Sequence, residues 1–175
     1  MKLVPISVLI FVLLGGCMPD LKSDLPPDRI YWLEVPEVAD SPAVNLELAV
    51  VPGLDSDRIW LLQLDQRLNF YAGAYWPDNL SPLLESLLRR ALTSERSGLD
   101  VQVLIERFFA VERGEGLAPE VELRARFEAD GVHCRFETVE AVADNRLRDV
   151  VAGHQQVLEA LAAALAQFAR TGRCP

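Results

Sequence analysis

This sequence predicts an α/β layered domain: a mixed, largely antiparallel sheet of six or seven strands with two main helices. Three observations predict it. Apolar and polar residues alternate in several short segments, Val121 to Glu128 most cleanly, as strands with one buried face require. Two longer segments, Leu80 to Leu92 and Arg146 to Ala169, carry apolar residues at helical spacing instead. Turn signals such as Asp65-Gln66 and Asp130-Gly131 join successive strands directly, which makes those neighbours antiparallel.

The first element is not part of the domain. From Leu3 to Gly16 the chain is uncharged, but these 14 residues fall short of the roughly 20 that a bilayer core needs. Lys2, the apolar run and the small residues that close it read as an export signal. Leu14-Gly15-Gly16-Cys17 resembles the bacterial lipobox, in which the cysteine is acylated and the signal is cut just before it. Residues 1–16 are therefore expected to be a signal peptide and Cys17 a lipidation site. Residues 17–29 are polar, proline-rich and unpatterned, a flexible tether rather than core. Residues 30–175 form one domain. Met18 stands where aspartate favours retention at the inner membrane, so the expected location is the periplasmic face of the outer membrane.

Within the domain, Tyr31 to Val35 is a short β-like run closed by Pro36. Asn45 to Val51 puts Leu46, Leu48 and Val50 on one face, and Pro52-Gly53 ends it. Ile59 to Leu64 is almost wholly apolar, as in a strand covered on both faces. Arg67 to Tyr75 follows, with Gly73 marking a bulge. The strand before the Leu54 turn is free to run parallel, which makes the sheet mixed. Leu80, Leu83, Leu84, Leu87, Leu88, Ala91 and Leu92 then form one helical stripe, with Ser81 as its cap and Pro82 at its first position. Ser97-Gly98 is the loop that ends it. Val101, Val103 and Ile105 begin a strand within Asp100 to Val111. Val121, Leu123, Ala125 and Phe127 mark the next. Cys134, Phe136 and Thr138 face one way on the last strand, and His133, Arg135 and Glu137 the other. The final helix carries Leu147, Val150, Val151, His154, Leu158, Leu161, Leu165 and Phe168 on its stripe. Asn145 or Asp144 caps its start and Gly172 its end.

Cleavage after Gly16 leaves 159 of the 175 residues and, with Lys2 gone, moves the formal charge from −9 to −10. An acidic chain is a poor partner for nucleic acid, whose binding needs Lys and Arg at phosphates. Membrane contact is expected through acyl chains, two or more of which make a stable anchor. If Cys17 is acylated, Cys134 and Cys174 remain. An oxidising compartment favours a disulfide between them; the alternative is two unpaired thiols, one on a strand and one near the chain end.

No pattern of catalysis stands out. His133 and Cys134 are strand neighbours pointing to opposite faces, so they do not share an ion, and His154 sits on an apolar helical stripe. Neither a metal site nor a cofactor is expected. There is no G-x-S-x-G elbow, P-loop or G-x-G-x-x-G. The aromatics are more informative. Tyr31-Trp32, Phe70-Tyr71, Tyr75-Trp76 and Phe108-Phe109 are adjacent pairs. On a strand one member of each points in and one out, and the outward member lies under a helix or forms an apolar interface. Trp32, Tyr71, Tyr75 and Trp76 are the interface or cargo candidates.

Val51-Pro52-Gly53-Leu54-Asp55-Ser56-Asp57-Arg58-Ile59 is similar to the P-x-L-D-R-x-x-I turn and strand of the PqiC/YmbA-like lipoproteins, the ABC-type transport auxiliary lipoprotein family, with Ser56-Asp57 inserted before the arginine. Trp76-Pro77 followed by Leu80-x-x-Leu83-Leu84 resembles that family's approach to its helix, and the likeness spans roughly residues 30 to 170. The resemblance implies a non-enzymatic auxiliary component, anchored in the outer membrane, that works with an MCE-domain protein and ABC transporter subunits on phospholipid or other hydrophobic cargo. A homo-oligomer is compatible with it. The rival reading is a periplasmic ligand- or glycan-binding lipoprotein or a hydrolase, which a deep polar pocket would favour.

Overall fold

The structure is a computed structural model that describes residues 27–92 and 98–175. The expected signal peptide, Cys17, the tether up to residue 26 and Ser97 lie outside the described residues. In chain order the elements are β1 (Arg29–Ile30), β2 (Val44–Val50), β3 (Arg58–Leu62), β4 (Leu68–Tyr75), α1 (Leu80–Ala91), β5 (Leu99–Val111), β6 (Glu120–Ala129), β7 (Val132–Ala141) and α2 (Leu147–Thr171). Among the described residues the strands make one mixed seven-stranded sheet, the α/β class that the sequence predicts.

Strand β5 is the spine. Along one edge it pairs antiparallel with β6, which pairs antiparallel with β7. Its other edge is shared end to end: β2 runs parallel beside Leu99 to Ile105, and β3 runs parallel beside Ala110 and Val111. The β3–β4 hairpin continues the sheet outward, and β1 closes it parallel to β4. A β-bulge at Glu106 reverses the alternation within β5. Val101, Val103 and Ile105 point into the core before it, and Phe108 and Ala110 after it.

Both helices cover the same face. α1 lays its leucine stripe on β2, and α2 crosses β5, β6 and β7. Gly153 lets α2 approach β6 closely, because a Cβ there would sit 2.9 Å from Val121 Cγ2. Phe168 meets Phe127 edge to face at 5.1 Å between ring centres.

Several turn signals act as the sequence predicts. Gly73, at φ 67°, lies in the irregular stretch where three extra residues of β4 interrupt its register with β3. Asp130 and Gly131 both take positive φ in the β6–β7 hairpin, as a tight turn between twisted strands needs. Gly172 ends α2 in the left-handed conformation.

The helix starts differ from expectation. Ser81 does not cap α1. Its hydroxyl accepts the Val50 N–H at 3.0 Å, and its own N–H donates to Asp55 Oδ1 at 2.8 Å. A side chain remote in sequence thus satisfies a first-turn donor, so the local cap is dispensable. Pro82 is the third helical residue, where its missing N–H costs nothing. α2 begins after Arg146 without a side-chain cap, because Asp144 bonds the adjacent Asn145 N–H instead. The N-terminal strand is Arg29–Ile30 and ends before the Tyr31 to Val35 run that the sequence suggests. Pairing stops once Tyr31 N–H reaches Tyr75 O, since β4 itself ends there. Tyr31, Leu33 and Val35 still turn inward beyond the pairing.

Cys134 and Cys174 form a disulfide, with Cα atoms 5.4 Å apart. It binds the chain end beyond α2 to the edge strand β7.

Candidate functional site

The face of the sheet away from the helices carries two dissimilar halves. The half on β3 and β4 is aromatic. Register places Arg58 opposite Tyr75, Trp60 opposite Phe70 and Leu62 opposite Leu68. The Arg58 guanidinium lies 4.6 Å from the Phe70 ring centre and 4.5 Å from that of Tyr75, a double cation–π contact. Trp60 meets Phe70 edge to face at 6.1 Å and donates its indole N–H to Leu54 O at 3.0 Å. That bond fixes the ring against the β2–β3 turn. Ile30, opposite Tyr75 on β1, and Trp32 just beyond extend the strip to the sheet edge. They are 61% and 69% exposed.

The half on β5, β6 and β7 is a lattice of ion pairs. Glu122, 8% exposed, accepts from Arg107 Nη1 and Arg113 Nη2 at 2.8 Å each. Arg113 also binds Glu120 at 2.6 Å, and Arg126 binds Glu106 at 2.6 Å. Arg124 pairs with Glu137, whose carboxyl is held below the ordinary range by that hydrogen bond. These cross-strand pairs fix side chains and register. They also account for the burial of Phe109 on a face without helices: the Arg107 guanidinium lies 5.9 Å from its ring centre, and Glu122 stands opposite it on β6. A groove of about 630 Å³ runs between Glu47, Gln102, Arg126, Glu128 and His133. His133 Nδ1 lies 3.0 Å from Glu128 there. Among the described residues, no group of three His, Cys, Asp or Glu side chains is placed to hold a metal ion.

The sequence candidates separate by face. Trp32 and Tyr75 belong to the aromatic strip. Tyr71 turns the other way, into a cleft of about 280 Å³ with Leu61, Leu64, Glu112 and Leu117. Burial, and secondarily the Glu112 carboxylate, push its hydroxyl up to about 12. Trp76 is not a surface residue. It is 2% exposed, because its N–H bonds Asp57 O at 2.7 Å as the chain leaves β4 and the ring drops into the core. Its proposed interface role is withdrawn on that ground. Arg58 and Trp60 make the strip what it is, yet sequence reasoning passed over both. The signal was present in the alternation of Arg58, Trp60 and Leu62 with Ile59 and Leu61, which an all-apolar reading of the strand conceals.

Trp76 instead flanks His154. The imidazole is fully buried, 5.4 Å from the Trp76 ring centre and 4.9 Å from that of Phe108. Nδ1–H donates to Val150 O at 2.9 Å, which leaves Nε2 without a partner. Burial pushes the pKa from 6.5 down to about 4, against the opposing Val150 bond. As pH falls below 6.5 the unfolded chain binds a proton that the folded one refuses. The contribution of neutral His154 is therefore complete above 6.5 and is lost between 6.5 and about 4, up to about 3 kcal/mol. His154→Leu is expected to flatten this interval of the stability profile in urea titrations at a series of pH values. Parallel profiles for the two proteins would refute the assignment.

The two stretches that carry the lipoprotein resemblance meet in space. Val50, Asp55 and Ser81 tie the turn after β2 to the start of α1, and Trp60 binds the same turn through Leu54. No protein-family profile and no curated sequence matches this chain. Two solved structures have a similar fold. Protein XCC0632 from Xanthomonas campestris, assigned to the family DUF330, is 21% identical with a TM-score of 0.66 over 82% of this chain and 96% of its own. An uncharacterized protein is 13% identical with a TM-score of 0.65 over 81% of this chain and 98% of its own. At these identities the likeness is one of fold.

Proposed function

We propose that this chain is a lipoprotein of the periplasmic face of the outer membrane, anchored through Cys17. It acts without catalysis, as the auxiliary component of an MCE/ABC-type system that moves phospholipid or other hydrophobic cargo between membranes. The observation that carries the reading is the division of the three cysteines. Cys134 and Cys174 are bonded to each other, as an oxidising compartment allows. Cys17, the third, stands at the end of Leu14-Gly15-Gly16, where acylation takes it. The joined Asp55 and Ser81 stretches support the resemblance to the PqiC/YmbA-like lipoproteins, from which the MCE and ABC partners are inferred. The aromatic strip, rather than a set of converging carboxylates, supports a docking role.

A pull-down from membranes tests this directly. Native protein is expected to recover MCE-type and ABC subunits, and Cys17→Ala to lose most of that recovery along with its membrane attachment. Recovery of peptidoglycan or soluble ligands alone would count against the transport role. The groove by His133 and Glu128 carries the second reading, a ligand-binding lipoprotein. That reading predicts saturable glycan binding that Glu128→Gln weakens.

A further inference from the structure

Exposed apolar side chains at the N-terminal edge, with the half-buried Tyr75 and Trp60 between them, form one strip rather than scattered points. Trp32, Ile30, Tyr75, Phe70, Trp60 and Leu68 follow one another across β1, β4 and β3 on the helix-free face. Ile30 and Trp32 are strongly exposed and stand at the end of the domain nearest the tether in sequence. Arg58 sits amid the strip with its charge held over two rings, and it pairs with Asp57 at 3.6 Å.

We infer that this strip seats the domain on the phospholipid surface to which Cys17 is attached. The inference rests on the lipoprotein reading above. Thirteen peptide steps separate Cys17 from Ile30, a reach of at most about 45 Å. An acylated Cys17 thus holds the β1 edge close to the bilayer, at an effective concentration of about millimolar. A contact of low intrinsic affinity is then largely occupied. The composition suits a headgroup layer: amphipathic rings settle at that depth, and a guanidinium whose single ion pair is a long one to Asp57 keeps donors to offer a phosphate. The formal charge of −10 left after cleavage before Cys17 opposes attraction to an anionic surface, so the contact is short-range and suited to zwitterionic headgroups.

The test uses acylated full-length protein in vesicles of phosphatidylcholine and phosphatidylethanolamine that include lipid brominated near the headgroup. Flotation reads the anchor, and quenching of tryptophan emission reads the contact. Native protein is expected to float and to be quenched. Trp32→Phe is expected to float equally, melt at the same temperature and lose part of the quenching, and Trp32→Phe combined with Trp60→Phe to lose nearly all of it, because the remaining Trp76 is buried. Native protein that floats without quenching would overturn the contact and leave the anchor standing. Failure to float, with an unmodified N-terminus, would remove the anchor and the contact together. Self-association in detergent that Trp32→Ser abolishes, with no quenching in vesicles, would assign the strip to a second copy and overturn the inference.

Discussion

Replacing Cys174 with serine is expected to cost about 4 kcal/mol of folding stability. The bond closes a separation of 40 residues, which includes the rest of β7 and all of α2. Without it the unfolded ensemble regains the freedom that the ring denies it, and the gain scales with the logarithm of loop length. The folded state loses little by comparison, because α2 stays held by Val150, Val157, Leu158, Leu161, Leu165 and Phe168 in the core. Cys174 is the better position to change. Cys134 is 5% exposed, and a hydroxyl there adds a desolvation cost of its own. Urea denaturation with and without reductant makes the comparison internal: reduced native protein should match Cys174→Ser, and reductant should leave the variant unmoved. A loss below about 1 kcal/mol on reduction is outside the range that this loop length gives, and would mean that the bond does not constrain the chain.

The same disulfide marks how far the sequence could be read. Cysteine count and compartment named the pair and left unpaired thiols open; only the positions of β7 and the end of α2 decide between them. Strand existence was legible wherever one face meets the helices, as in Val121, Leu123, Ala125 and Phe127, because burial on one side imposes period two. It was less legible in β5. The bulge at Glu106 changes which parity faces inward, and nothing local announces it. The sharing of one β5 edge by β2 and β3 was not legible at all, since non-local pairing leaves no short-range pattern. Helix stripes were legible, but their caps were not. Asp55 supplies what Ser81 was expected to supply, and a contact 26 residues away has no signature in the capping positions.

The aromatic pairs show the same division. Adjacency on a strand correctly separates Tyr31 from Trp32, Phe70 from Tyr71 and Tyr75 from Trp76. It does not say which member points out, because that depends on the bulge around Gly73 and on where β4 ends. It fails for Phe108 and Phe109, both of which are buried. One lies beneath α2. The other lies beneath arginine and glutamate side chains whose pairing across β5 and β6 is a tertiary fact. The aromatic strip was therefore visible as a set of residues and not as a surface. Arg58, the residue that joins Phe70 to Tyr75, entered only through register.

Phe108→Ala is the second large effect, an expected loss of about 3 to 5 kcal/mol. Phe108 is 1% exposed, and its ring touches Trp76 and His154 from the strand that every other part of the sheet depends on. Its neighbours have little freedom to collapse into the space, because the Trp76 main chain is held by its backbone N–H to Asp57 O and the His154 ring by Nδ1–H to Val150 O. The loss should thus lie toward the cavity-forming end of the range. Phe70→Ala, which removes the same ring from a position 40% exposed, is the control and should cost about 1 kcal/mol or less. A second readout separates a cavity from general loosening. Space left by Phe108 admits water to the unpartnered Nε2 of His154, which returns the imidazole toward its ordinary pKa. The stability lost between pH 6.5 and 4 should therefore shrink in Phe108→Ala. Should Phe108→Ala and Phe70→Ala cost the same, or should the acid profile keep its full slope, the ring is not the partition between His154 and solvent, and the core under α2 is packed in another way.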